Sequence, residues 1–158
     1  MKLTGVGEQL TESTISDFEV NFNIKLPDDY KVFLLGSNGG VPGGNWCFDF
    51  IENGSTIKTS SVISYFEVLY AEETMEVDDL RAGYVALVES GQVPSTLLPI
   101  ADDPFGNIIF ISVGEDDFGR VYFGNHELEV PETGYLVMSQ IAETFSEFMD
   151  KLYLYNGE

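Results

Sequence analysis

Positive charge is what this chain lacks most. It has 7 Lys+Arg against 27 Asp+Glu, a formal net charge of −20 over 158 residues. A surface of that sign repels phosphate backbones, which argues against direct nucleic-acid binding. It disfavours anionic membrane surfaces for the same reason. The one cysteine, Cys47, has no second thiol to pair with, so a disulfide scaffold is excluded and a reducing compartment is expected. With a single Cys and a single His, His126, a Cys/His zinc cluster cannot be assembled. Long apolar runs are also missing: Tyr84 to Val88 is far too short to span a bilayer. Met1 to Thr14 has no apolar segment of the secretory kind, so the expected location is cytoplasmic.

What the chain has is enough apolar material to fold. Hydrophobic residues make up 44% and aromatics 13%, well above the composition of disordered chains. No repeat or low-complexity linker divides it, so one domain over residues 1–158 is expected.

The order of elements can be read from periodicity and punctuation. Ile15, Phe18 and Phe22 form one helical stripe, opened by Thr11 or Ser13 and stopped at Asn23. A second helix is expected from Pro27, with Asp28 and Asp29 at the positive end of its dipole. Leu26, Tyr30, Phe33 and Leu34 are its buried side, and Asn38-Gly39-Gly40 its stop. Trp46 to Ile51 and Val62 to Tyr70 have strand composition. Val77, Leu80, Tyr84 and Leu87 suggest a third helix ending at Gly91, weakened by the interior Gly83, which costs roughly 1 kcal/mol against Ala. Asn107–Val113 and Arg120–Phe123 read as a hairpin, with Leu97–Ala101 pairing on its other side. Ile141, Phe145, Phe148, Leu152 and Tyr155 predict a last helix capped by Ser139, with Glu147 and Lys151 as an i,i+4 pair. The expected class is α+β: a mainly antiparallel central sheet, a mixed one being the alternative, with helices at both chain ends packed beside it. Phe18, Phe33, Leu34, Ile109, Ile111, Val121, Phe145 and Phe148 should share its core.

Catalytic motifs are missing: there is no GxSxG, P-loop, HExxH or CxxC. The Gly39–Gly44 stretch follows a helix C-terminus, the wrong end for a phosphate. Cys47 and His126 form a nucleophile–base pair only if the fold brings them together; alone, Cys47 reads as a small apolar residue between Trp46 and Phe48. Asp102–Asn107 and Glu115–Gly119 invite a calcium reading, but neither has EF-hand spacing, and solvated turns are the simpler account. No metal, cofactor or catalytic residue is therefore assigned, and the chain reads as a non-enzyme.

The segment Ile24-Lys25-Leu26-Pro27-Asp28-Asp29-Tyr30, continuing through Phe33-Leu34 to Asn38-Gly39-Gly40, resembles the SUKH superfamily, the Smi/Knr-like domain. The resemblance continues at Leu98–Ala101, Gly106–Ile109, Gly119–Phe123, His126-Glu127 and Ile141–Phe148, spanning about residues 11–154 in the family's order. It implies an α+β binding domain. Many bacterial members resemble immunity proteins that neutralise a toxin domain, often a nuclease; eukaryotic relatives resemble regulators and scaffolds of cell-wall signalling. The expected partner is then a basic toxin domain, since a nuclease presents Lys and Arg to hold phosphates, with a regulatory module lacking a toxin partner as the alternative. The acidic excess is either the means of attraction or a solubility surface. Candidate partner contacts are Glu72, Glu73, Asp102, Asp103, Glu115, Asp116 and Asp117, with Trp46 or Phe118 as an aromatic anchor.

Overall fold

The computed structural model describes residues 1–75 and 77–157. The first helix, α1 (Glu12–Phe22), starts where the sequence places it. Thr11 is the N-cap, its hydroxyl accepting from the Thr14 N–H while the Thr14 hydroxyl accepts from the Thr11 N–H. Asn23 closes it in the left-handed conformation at φ 51°, donating to the Glu19 and Val20 carbonyls. Ile15 and Phe18 are buried and Phe22 half-buried.

In α2 (Asp28–Gly36), Pro27 is the N-cap residue itself, one position before the expected N1. The stop also differs. The helix ends at Gly36, and Ser37 caps it in extended backbone. Asn38-Gly39-Gly40 instead ties α2 to distant chain. Asn38 is buried; its amide nitrogen donates to the Glu8 and Leu69 carbonyls at 3.0 and 2.8 Å, and its amide oxygen accepts from the Leu69 N–H at 2.9 Å. Gly39 lies so close to the next segment that a Cβ would stand 2.4 Å from the Glu67 carbonyl oxygen, and its φ of 65° favours glycine as well.

Among the described residues, three antiparallel sheets follow. The largest is ordered β5 (Tyr65–Phe66), β6 (Leu97–Asp102), β7 (Ile108–Ser112), β8 (Val121–Glu129), β9 (Leu136–Ala142). The expected hairpin is its centre, with Ile109 opposite Phe123 and Ile111 opposite Val121. A second sheet sets β3 (Trp46–Ile51) between β4 (Lys58–Val62) and β10 (Tyr153–Leu154). The short β1 (Leu3–Thr4) pairs with β2 (Val41–Pro42). Val62–Tyr70 is therefore less regular than its composition suggests: it holds the end of β4, β5, and isolated bridges from Phe66 to Gly40 and from Val68 to Asp79.

The third helix, α3 (Leu80–Glu89), begins three residues after Val77, because the Asp79 carboxylate caps the Arg81 N–H. The last helix is shorter than expected. Ile141 and Ser139 lie in β9, and α4 (Phe145–Lys151) begins only after Thr144, whose hydroxyl accepts from the Glu147 N–H. The Ser139 hydroxyl accepts from the Asn53 N–H at 2.8 Å and caps no helix. The Glu147–Lys151 pair forms at 2.6 Å.

These elements close on a shared core. Phe18, Leu34, Ile109, Ile111, Val121, Phe145 and Phe148 are buried in one cluster, and Phe33 packs against it half-buried. The architecture is α+β, with four helices and ten strands among the described residues.

Candidate functional site

Two of the open grooves on the surface border the C-terminal part of α1. The larger, about 920 Å³, is lined by the end of α1, by residues of 70–75 and 77–79, and by α3. Phe22, Val85 and Ala82 are among its apolar lining, and Glu72, Glu73, Asp78 and Glu89 among its acidic lining. The second, about 880 Å³, is lined by Val20, Lys25, Val113, Glu115 and Phe118 among others.

The wall of the first groove is held rigidly. Arg81 donates through Nε to Asp79 Oδ1 at 3.0 Å and through Nη2 to Asp79 Oδ2 at 2.6 Å. Its guanidinium carbon lies 4.2 Å from the centre of the Tyr70 ring, a cation–π contact. Burial alone would raise the Asp79 carboxyl. The hydrogen bonds from the Arg81 side chain and backbone, with the guanidinium charge, outweigh it and hold Asp79 below the ordinary carboxylate range. Asp79 Oδ2 also accepts from the Ala71 N–H at 2.9 Å. Tyr70 itself has φ 60°. An aromatic residue in that region costs about 1–3 kcal/mol and persists only where its surroundings impose it.

Beneath this groove is a cluster of acids. Glu67, only 3% exposed, meets Asp102 through the register that sets Tyr65 opposite Asp102. Two carboxyl groups hydrogen-bond only if one keeps a proton. Burial, then the bond to Asp102, then the charges of Asp102, Asp78 and Asp79 push the Glu67 carboxyl far above its ordinary range. The Tyr65 hydroxyl donates to Asp78 at 3.0 Å. The Tyr30 hydroxyl and one Glu67 oxygen are buried with no hydrogen-bond partner among the described residues.

The structure sorts the candidate contact residues. Glu72, Glu73, Glu115 and Asp116 are exposed, as is Phe118. Asp102 and Asp103 do not form a free acidic loop. Asp102 belongs to the Glu67 cluster. Asp103 is buried and holds its own turn, accepting from the Phe105 and Asn107 N–H groups and from the Ser61 hydroxyl at 2.8–2.9 Å. The carboxylate of Asp117 is likewise engaged, by the Ser112 hydroxyl and by Tyr122 at 2.5 Å. Trp46 is half-buried against the core and its indole donates to the Gly43 carbonyl at 3.1 Å. Of the acidic candidates, Glu72, Glu73, Glu115 and Asp116 are the exposed ones; Glu72 and Glu73 line the first groove and Glu115 the second. The sequence alone marks neither Arg81 nor Tyr70; the signal that bears on them is Asp78-Asp79 ahead of Leu80-Arg81, a helix-capping pattern.

Cys47 and His126 are not brought into a dyad. Cys47 lies in β3, opposite Val62 and Tyr153, and its thiol approaches the Asn45 carbonyl. Burial and the neighbouring Asp49 push that thiol up, away from the thiolate a nucleophile requires. The His126 ring is engaged from β8 by Asn107 Oδ1 at 2.8 Å. Among the described residues, no group of three or more His, Cys, Asp and Glu side chains is placed to hold a metal ion, and no helix is long and apolar enough to cross a membrane.

Comparison with known proteins adds two findings. The model of the SMI1 / KNR4 family (SUKH-1) matches residues 9–151. The chain is also similar to the SPbeta prophage-derived uncharacterized protein YokK of Bacillus subtilis (strain 168), at 28% identity over 160 residues, covering 90% of this chain and 74% of the relative.

Proposed function

This chain belongs to the SMI1 / KNR4 family (SUKH-1), and on that premise we propose that it is a cytoplasmic, non-catalytic binding domain of the immunity type, which neutralises a basic, nuclease-class toxin by occluding it. The observation that carries this reading is electrostatic. Five of the seven basic side chains, Lys31, Lys58, Arg81, Arg120 and Lys151, are already in ion pairs within the molecule. The remaining carboxylates have few internal cations to meet, so the negative field faces outward. Such a field speeds encounter with a Lys/Arg-rich surface. Occlusion needs no reacting group, which accords with a Cys47 thiol and a His126 ring held by separate partners.

The test is co-purification from the native host with the product of a neighbouring gene whose C-terminal region is nuclease-like, followed by stopped-flow association. The on-rate should fall steeply as salt rises past about 0.15 M, where the Debye length is about 8 Å. Neutralising Glu72, Glu73, Glu115 and Asp116 together, as Gln and Asn, should slow association several-fold while leaving the protein folded, because each exposed substitution usually stays within about 0.5 kcal/mol. An on-rate indifferent to salt would defeat the electrostatic mechanism. A partner without a toxin domain would move the protein to the regulatory class.

A further inference from the structure

The two grooves beside α1 differ in charge. In the second, Lys25 and Glu115 both line the groove, and Glu19 is already engaged by the Leu26 N–H at 2.8 Å and by Lys31. In the first, Glu72, Glu73, Asp78 and Glu89 stand around an apolar floor that includes Phe22 and Val85. Among the described lining residues its one cation is Arg81, whose charge is paired with Asp79 through Nε and Nη2 while its face lies on Tyr70. The acidic surround is therefore not neutralised from within.

The floor is stiff as well as apolar. Phe22 is packed edge-on to Tyr84 at 5.9 Å and lies 4.9 Å from Phe18, which is fully buried. The Asp79–Arg81–Tyr70 wall is fixed at both ends, by the Ala71 N–H and by the bridge from Asp79 to Val68. A preformed groove spares an incoming segment the cost of ordering its receptor. It is open and about 920 Å³ in volume. A small molecule would leave much of itself in water there, whereas a segment of chain can lie along it.

We infer that the α1–α3 groove seats a basic amphipathic helix of the partner protein, with its apolar side on Phe22 and Val85 and its Lys or Arg side chains against Glu72, Glu73, Asp78 and Glu89. This rests on the reading that the partner is a basic protein, and it adds where and in what form that partner binds. Helix-in-groove recognition works by this division: apolar anchors supply affinity, and surrounding charges set rate and register.

The inference can be tested before any native partner is in hand. The probe is a synthetic helix of about four turns with Leu on one face and Lys on the other. One control has the same composition shuffled so that no apolar face forms; another is oligolysine. Calorimetry and methyl NMR on the full chain read the outcome. The amphipathic helix should bind at least about tenfold tighter than either control and shift the Val85 and Met75 methyl signals. Val85→Lys should weaken binding by about tenfold or more; Val85 is 36% exposed and outside the core, so the fold should survive. The paired reversal Glu72→Lys and Glu73→Lys, at exposed positions, gives the same reading without touching the floor. Equal binding of all three probes overturns the inference. So does tight binding that shifts Val20 and Val113 instead, an outcome that leaves the basic-partner reading standing. A native partner whose association ignores salt would fail that reading separately.

Discussion

Phe145→Ala is expected to destabilise the protein by about 3–5 kcal/mol, the range for removing a buried aromatic ring. Phe145 is 2% exposed in the first turn of α4. Its ring centre stands 5.1 Å from both Tyr30 and Phe33 of α2, and 6.3 Å from Phe148. The residue therefore joins the two helices where they meet. A second tie nearby, the Ser146 N–H donating to Asp29 at 2.9 Å, limits how far α4 can move to fill the vacated space. Little relaxation means the upper part of the range. In a chain of this size the thermal midpoint should fall by roughly 6–20 °C. A loss below about 1 kcal/mol in denaturant titration would place Phe145 outside the core.

The second large effect is in the pH dependence of stability. In the folded protein Glu67 keeps its proton far above the ordinary carboxylate range, because its site is buried and surrounded by acids. In the unfolded chain it releases that proton near pH 4.3. Below that value both states are protonated and Glu67 exacts no penalty. Above it the unfolded state gains by ionising while the folded state cannot, so folding stability falls as pH rises, by up to about 1.4 kcal/mol per pH unit. Glu67→Gln removes the titration and lets an amide donate to Asp102. The variant should match the parent near pH 4.5 and exceed it increasingly toward pH 8, by at least about 1 kcal/mol. Urea titrations at pH 5, 6.5 and 8 measure the divergence. A constant difference across that span would show that Glu67 ionises in the folded state as it does in water.

Neither Glu67 nor the groove could be read from sequence, and the reason is one of distance. Local signals were legible: Thr11 with Ile15, Phe18 and Asn23 set α1 at both ends, and the apolar runs around Ile109 and Val121 set the central hairpin. The error at the last helix came from a coincidence of spacing. Ile141 and Phe145 are four apart, as a helix requires, yet Ile141 is the inward residue of a strand and Thr144 starts a new element. Asn38 read as a helix stop because Asn-Gly-Gly ends helices locally. Its actual partners, Glu8 and Leu69, lie 30 and 31 residues away. Glu67 and Asp102 meet only through β5–β6 register. Asp103 looked like a loop carboxylate because its bond to Ser61 crosses 42 residues.

The placement of β10 bears on the order of assembly. The meander from β6 to β9 joins neighbours in sequence and closes through short loops. The sheet around β3 does not: Tyr153 stands opposite Cys47, a closure over roughly 100 residues whose entropy must be met before any contact repays it. During refolding, β3 is therefore a sheet edge for as long as β10 is undocked, with unpaired backbone groups flanked by Trp46 and Cys47, and such edges recruit other chains. Pulse-labelled hydrogen exchange should show the β7 and β8 amides protected before those of the β3–β10 pair. The same interval is when concentrated protein should be most prone to aggregate.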